Sequence, residues 1–153
     1  MKYRNLGAFK NVENVPYCKA AVDLKVGMGV VLDRVAKTAN LPASADEAKA
    51  AVYIVSNIDD VPERISTQEA FTVEKGRYVR ADDLRSVNGQ EIEFAGFETK
   101  DGTSNLSVGD SLVFGTDGLL AKATAVTGYA VSFKIIAKTS YMDDGLLCEI
   151  IAA

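Results

Sequence analysis

Three adjacent aspartate pairs, Asp59-Asp60, Asp82-Asp83 and Asp143-Asp144, form the densest reactive chemistry in this 153-residue chain. Neighbouring carboxylates can hold a hard cation such as calcium or magnesium through oxygen. Two carboxylates facing one cleft can also divide the acid and base roles of glycoside hydrolysis. None of the pairs stands in a D-x-[DN]-x-[DN]-G loop, and all three are expected in turns, where aspartate bonds its own backbone. The chain has no histidine, which removes the usual base for a serine or cysteine nucleophile. Neither G-x-S-x-G nor S-x-x-K occurs, and Thr116-Asp117-Gly118 is not the order of an aspartic protease but reads as a hairpin turn. A small β-domain without Trp also lacks a common platform for stacking sugars. No catalytic residue, metal ligand or cofactor site is assigned.

Phosphate chemistry finds no better footing. Gly27-Met28-Gly29 lacks a third glycine and a following helix, so close strand packing accounts for it better than a nucleotide. Arg77, Tyr78 and Arg80 are the one basic and aromatic cluster. The two arginines differ by an odd number and belong on opposite faces of a strand, which argues for a solvated hairpin with one buried aromatic. A formal net charge of −4 gives no global field for a polyphosphate, so no nucleic-acid partner is expected. No apolar run approaches the roughly 18 residues of a membrane span, and the first residues lack a signal-type apolar core; no membrane partner is expected. Cys18 and Cys148 are read as two buried or half-buried thiols.

The elements that must position these groups are mostly β. The phrase Asp23-Leu24-Lys25-Val26-Gly27-Met28-Gly29-Val30-Val31 returns as Asn105-Leu106-Ser107-Val108-Gly109-Asp110-Ser111-Leu112-Val113. Each copy puts a Val-Gly corner before an apolar strand, and reuse of one turn chemistry is preferred to internal duplication as the cause. One short helix is signalled by the capping box Ser44-Ala45-Asp46-Glu47, followed by a strand over 52–55. The loop 57–64 contains Pro62. Alternation over Phe71–Ala81 predicts a hairpin turning at Glu74-Lys75-Gly76, and Asn88-Gly89 predicts another with arms 84–87 and 90–94. Strands over 111–114, 119–122, 130–137 and 146–151 complete a small antiparallel β-barrel or sandwich over residues 18–153.

Residues 1–17 read as an N-terminal arm, in which Pro16 and scattered polar residues break the apolar pattern. The strand, Val-Gly corner, strand and short helix, then Pro62-Glu63-Arg64 and the Phe71-to-Arg80 pattern, resemble small bacteriophage virion proteins. The likeness is to capsid decoration (cement) and auxiliary head proteins, and covers about residues 23–80 with the second corner. It implies a non-enzymatic protein that assembles in the host cytoplasm, joins the virion and binds the major capsid protein on the shell surface as a homo-oligomer. It also implies an arm that engages the shell, here through Tyr3, Arg4, Leu6 and Phe9. The alternative reading is a β-barrel that binds a small molecule or oligosaccharide, which requires an apolar cavity with a few converging polar groups.

Overall fold

The computed structural model describes residues 1–3, 12–58 and 71–153. Strand β1 (Lys2–Tyr3) is followed by β2 (Glu13–Val15), β3 (Lys19–Ala20), β4 (Leu24–Lys25), β5 (Gly29–Asp33) and β6 (Thr38–Asn40). Helix α1 (Ala45–Ala50) leads to β7 (Tyr53–Val55), β8 (Thr72–Val73) and β9 (Ala81–Asp83). A 3-10 turn, η1 (Leu84–Val87), precedes β10 (Glu91–Ala95) and η2 (Gly96–Glu98). Then come β11 (Ser111–Phe114), β12 (Leu120–Ala123), β13 (Val131–Thr139), η3 (Tyr141–Asp143) and β14 (Gly145–Ala152). One six-stranded sheet runs β1-β10-β14-β13-β11-β12 and the other β2-β9-β7-β5-β6-β3, with β4 and β8 forming a separate pair. The fold is mainly β, and neither sheet closes into a barrel, so the architecture is sandwich-like. Among the described residues no helix is long and apolar enough to cross a membrane.

The likeness of the two Val-Gly corners extends far beyond nine residues. Gly27 and Gly109 have φ of 90° and 92°, a region open to glycine at little steric cost. Each is the third residue of a turn, closed by Met28 N–H to the Lys25 carbonyl at 3.2 Å and by Asp110 N–H to the Ser107 carbonyl at 3.0 Å. Each glycine N–H then bonds a strand carbonyl, Val55 or Ile135, whose own N–H returns to Met28 or Asp110. Beyond the corners, β5 pairs with β6 and β7 as β11 pairs with β12 and β13. Next, β9 and β2 follow β7 in the order that β14 and β10 follow β13. Even the parallel partner recurs: β3 lies beside β6, and Thr99 makes a parallel bridge to Leu120 of β12. The described strands within residues 13–83 thus follow the same order as those within 91–152, where the sequence alone favoured a shared turn.

Each copy has its own core. In the second, Phe133 stands between Phe94 and Phe114, with ring centroids 5.1 and 5.3 Å apart and planes near perpendicular, the edge-to-face arrangement that aromatic quadrupoles favour. The first is built on Cys18, Leu24, Val30, Val55 and Val79. The copies join where the first corner meets the second unit. A Cβ on Gly27 would overlap the Glu98 carboxylate, and one on Gly29 would overlap the Phe114 ring. Gly29 N–H also donates to the Gly118 carbonyl at 2.8 Å, and Ala130 N–H to the Lys49 carbonyl at 2.7 Å. The paired glycines therefore serve close packing, as their spacing predicts.

Several local expectations need correction. The turn at Gly76 forms, with Arg77 N–H on the Glu74 carbonyl at 3.0 Å, but its flanks do not pair with each other. β8 pairs with β4, while Tyr78 bridges Lys19 and β9 lies between β2 and β7. Alternation specifies a buried face and leaves the partner strand open. The Asn88-Gly89 turn also forms, yet residues 84–87 are η1, and β10 pairs with β14 and β1. Ser44 caps α1 through Glu47 N–H at 3.2 Å, whereas the Glu47 carboxylate reaches one residue further back, to Ala43 N–H at 2.8 Å. Of the expected arm, Lys2–Tyr3 lies in one sheet and Glu13–Val15 in the other.

Gly27→Ala is expected to destabilise the protein by about 2–4 kcal/mol, combining strain at positive φ with displacement of Glu98. Gly109, with no atom of the described residues within 4 Å of a Cβ built on it, carries the strain alone, so Gly109→Ala should cost about 1–2 kcal/mol. Urea unfolding of the two variants measures the difference.

Candidate functional site

Tyr3 is the described member of the predicted arm contacts; Arg4, Leu6 and Phe9 lie outside the described residues. Its backbone pairs with Ile92 and its ring is buried. It borders a cavity of about 300 Å³ formed by Met1, Lys2, Val26, Ser56, Asn57, Ile58, Arg80 and Asp82. The Tyr3 hydroxyl donates to Asp82 Oδ2 at 3.2 Å, and Arg80 Nε donates to Asp82 Oδ1 at 3.4 Å. Burial, reinforced by the Asp82 charge, pushes the Tyr3 phenol far up, so it stays a hydrogen-bond donor. Asn57 holds the wall, accepting from Arg80 N–H at 2.8 Å and donating to the Tyr78 carbonyl at 3.1 Å. The cavity can seat a small apolar body against a fixed donor–acceptor row, but Arg80 and Asp82 are engaged with each other and Lys2 with Glu93.

The aspartate pairs do not act as pairs. Asp82 and Asp83 are buried at the end of β9, and Asp83 also caps η1, accepting from Arg85 N–H at 3.0 Å, so the turn chemistry expected of the pair holds for Asp83 and not for Asp82. Successive strand residues face opposite sides, so Asp82 meets Tyr3 while Asp83 meets Arg85, whose Nε donates to its Oδ1 at 2.9 Å. Burial pushes the Asp83 carboxyl up, but the side-chain and backbone hydrogen bonds from Arg85 outweigh it and hold the group below the usual range. Asp59-Asp60 falls outside the described residues, and Asp144 is exposed beyond η3. Among the described residues no three His, Cys, Asp or Glu side chains gather to hold a metal ion. Both cysteines are free and buried, and burial pushes the Cys148 thiol up to about 12.

A second carboxylate lies deeper. Glu98 is only 2% exposed; it accepts from the Met1 α-amino group and from Ala95 N–H, both at 2.6 Å. Burial raises its pKa, and the amine's charge and hydrogen bond oppose that rise. This is a structural ion pair under the first corner, sealed by Gly27.

A third grouping was legible in sequence only through Arg77 and Tyr78. At the β3 and β6 edge, Lys19, Arg34, Lys37 and Arg77 are exposed beside Tyr17 and Tyr78, the latter 61% exposed. Lys19 Nζ sits 5.2 Å from the Tyr78 ring centroid, and Arg34 Nη2 donates to the Tyr53 hydroxyl at 2.7 Å. The expectation of a buried aromatic between Arg77 and Arg80 is therefore corrected: Tyr78 is exposed, Arg77 stays outside and Arg80 turns into the cavity. The bridge between Lys19 and Tyr78 and the parallel pairing of β3 with β6 bring the remaining members to this edge.

Two predictions follow from these geometries. Glu98→Ala leaves a buried cation without its partner and is expected to lower stability by about 3–5 kcal/mol, read from thermal and urea unfolding. For Asp83, a depressed folded pKa means stability that is present above the ordinary carboxylate range, about pH 4, and lost as pH falls through the folded value. Arg85→Ala should lower the urea midpoint at neutral pH and flatten its decline toward acid. Comparison of the chain with protein-family models, curated proteins and solved structures returns no match, so its own residues carry the reading of the site.

Proposed function

We propose that this chain is a structural interaction protein of the phage head, binding the outer surface of the assembled shell and stabilising it without turnover. The observation that carries the reading is the twofold use of one β topology, its two units locked by glycine-to-side-chain packing at the first corner. A rigid body of this kind offers contact area held at low conformational cost, which a coat of many copies needs. Resemblance of the corner, helix and hairpin segments to decoration proteins points the same way. The exposed tyrosines and arginines at the β3 edge are the residue types enriched at interface hot spots.

The test is co-sedimentation of the purified chain with shells assembled from the major capsid protein of the same phage. Saturable binding at a fixed copy ratio, with a higher shell melting temperature, is expected. A chain left in the supernatant at every concentration would sink the proposal. The cavity beside Tyr3 favours one second reading, a bound small molecule or oligosaccharide. That reading predicts a ligand-dependent rise in melting temperature, abolished by Asn57→Ala.

A further inference from the structure

An open groove of about 640 Å³ runs between β5, β6 and the start of α1. Val31, Leu32 and Leu41, all half-buried, supply its apolar floor. Val31 packs on the cluster that holds Phe114, whereas Leu32 and Leu41 pack on the cluster around Leu24. Leu41 also reaches the second unit, since a Cβ built on Gly118 would lie 2.8 Å from its Cδ2. The floor therefore crosses the seam between the two units. Half-buried aliphatic side chains in a concave surface gain from being covered.

The groove is polarised. Arg34 lines its end at the β5 to β6 turn, and Lys37 stands on the same turn. Parallel pairing brings Lys19 beside them, its N–H on the Lys37 carbonyl at 2.9 Å. Arg77 continues the row, its carbonyl accepting from Ala20 N–H at 2.9 Å. Among the described residues no carboxylate forms an ion pair with any of these four side chains. Asp33 shares the turn, but its Oδ1 is taken up by the N–H groups of Val35 and Ala36, at 2.9 and 2.8 Å. Glu47 marks the opposite end, beside α1, and accepts from Ala43 N–H at 2.8 Å.

Shape and chemistry together choose the occupant. A closed pocket buries most of a small ligand, whereas an open groove suits a chain that passes through it. Single-stranded nucleic acid is held by stacking bases on exposed rings. Here the floor is aliphatic, and Lys19 Nζ already sits over the Tyr78 ring, 5.2 Å from its centroid. The Glu47 carboxylate would also repel a backbone charged at every nucleotide. An extended polypeptide meets neither obstacle. Its alternate side chains can enter the groove while those between lie along the rim.

We propose that this groove docks an extended segment of a partner protein, its apolar side chains on Val31, Leu32 and Leu41 and its carboxylates on Arg34 and Lys37. The polarity seats the acidic end of the segment at the β5 to β6 turn. Because the floor spans both units, an occupant braces their junction and raises the melting temperature. The site goes beyond shell binding, since a peptide fills it in solution whether or not a shell is present.

The experiment uses the full chain and two fluorescent peptides of about ten residues, long enough to cross the groove when extended. In each, Val alternates with Glu through one half and with Ser through the other, and the two differ in which half comes first. Fluorescence anisotropy should show saturable binding of at least one, weakened by salt, with a higher melting temperature at saturation. Arg34→Glu with Lys37→Asp inverts the basic end on exposed side chains and should weaken binding about tenfold or more. Aspartate tolerates the positive φ of 55° at Lys37. Ala43→Phe, at an exposed lining position, keeps the charges and fills the groove, with a similar loss expected. Peptides with Lys in place of Glu should bind the charge-inverted variant better than the wild type. Circular dichroism confirms that each variant is folded. The proposal is overturned if neither peptide binds the wild type, or if the variants bind as the wild type does. Tighter binding of an oligothymidine than of either peptide would assign the groove to nucleic acid instead. Self-association abolished by Ala43→Phe would assign it to a second copy, and either result also overturns the proposal.

Discussion

Two missing side chains hold this molecule together. Because Gly27 and Gly29 have no Cβ, the first corner can press its backbone against the Glu98 carboxylate and the Phe114 ring. Interiors pack at crystal-like density, so even one methyl group at either position must displace something. The contact reaches the core directly, since Phe114 meets Phe133 edge to face and Ile54 and Ala51 of the first unit belong to the same apolar cluster. It also excludes water from Glu98. A carboxylate taken from water is costly to hold, and here the Met1 amine and the Ala95 N–H offset that cost. The two units are therefore not beads on a string; removing the corner would open a core and expose an ion pair together.

Topology is repeated while chemistry is not. Turn geometry, strand order and the parallel edge partner recur in both units, because backbone hydrogen bonding is indifferent to most side chains. Surface residues are free to differ, and they do. A lysine stands where the other unit has a glutamate, and an aspartate where it has a methionine.

The local features were legible because they depend on neighbours in sequence. The Val-Gly corners, the Ser44 cap, the Gly76 and Gly89 turns, the β11 to β12 hairpin and the long β13 all follow from propensity and turn chemistry within a few residues. Reading Gly27-Met28-Gly29 as close packing succeeded for the same reason, since glycine in a strand pattern announces a near neighbour. The partners were not legible. Phe71–Ala81 alternates as a hairpin does, but one flank is claimed by β4 and the other by β3, β2 and β7. Asp83 keeps to turn chemistry with Arg85, two residues on, but Asp82 is met by Tyr3 from the far end of the chain, which no local pattern announces.

By itself, then, the sequence determined that the chain is β-rich, where most of its turns fall, and that two corners share one design. Those properties reside in φ preferences, alternation and short-range bonding, each encoded over a handful of positions. Only the tertiary structure decided which strands meet, that the resemblance of two phrases extends to two whole units, and which corner is covered. Strand pairing joins residues far apart in the chain through backbone groups that every residue shares. Its outcome is set by the packing of whole faces against one another, which no single stretch of sequence records.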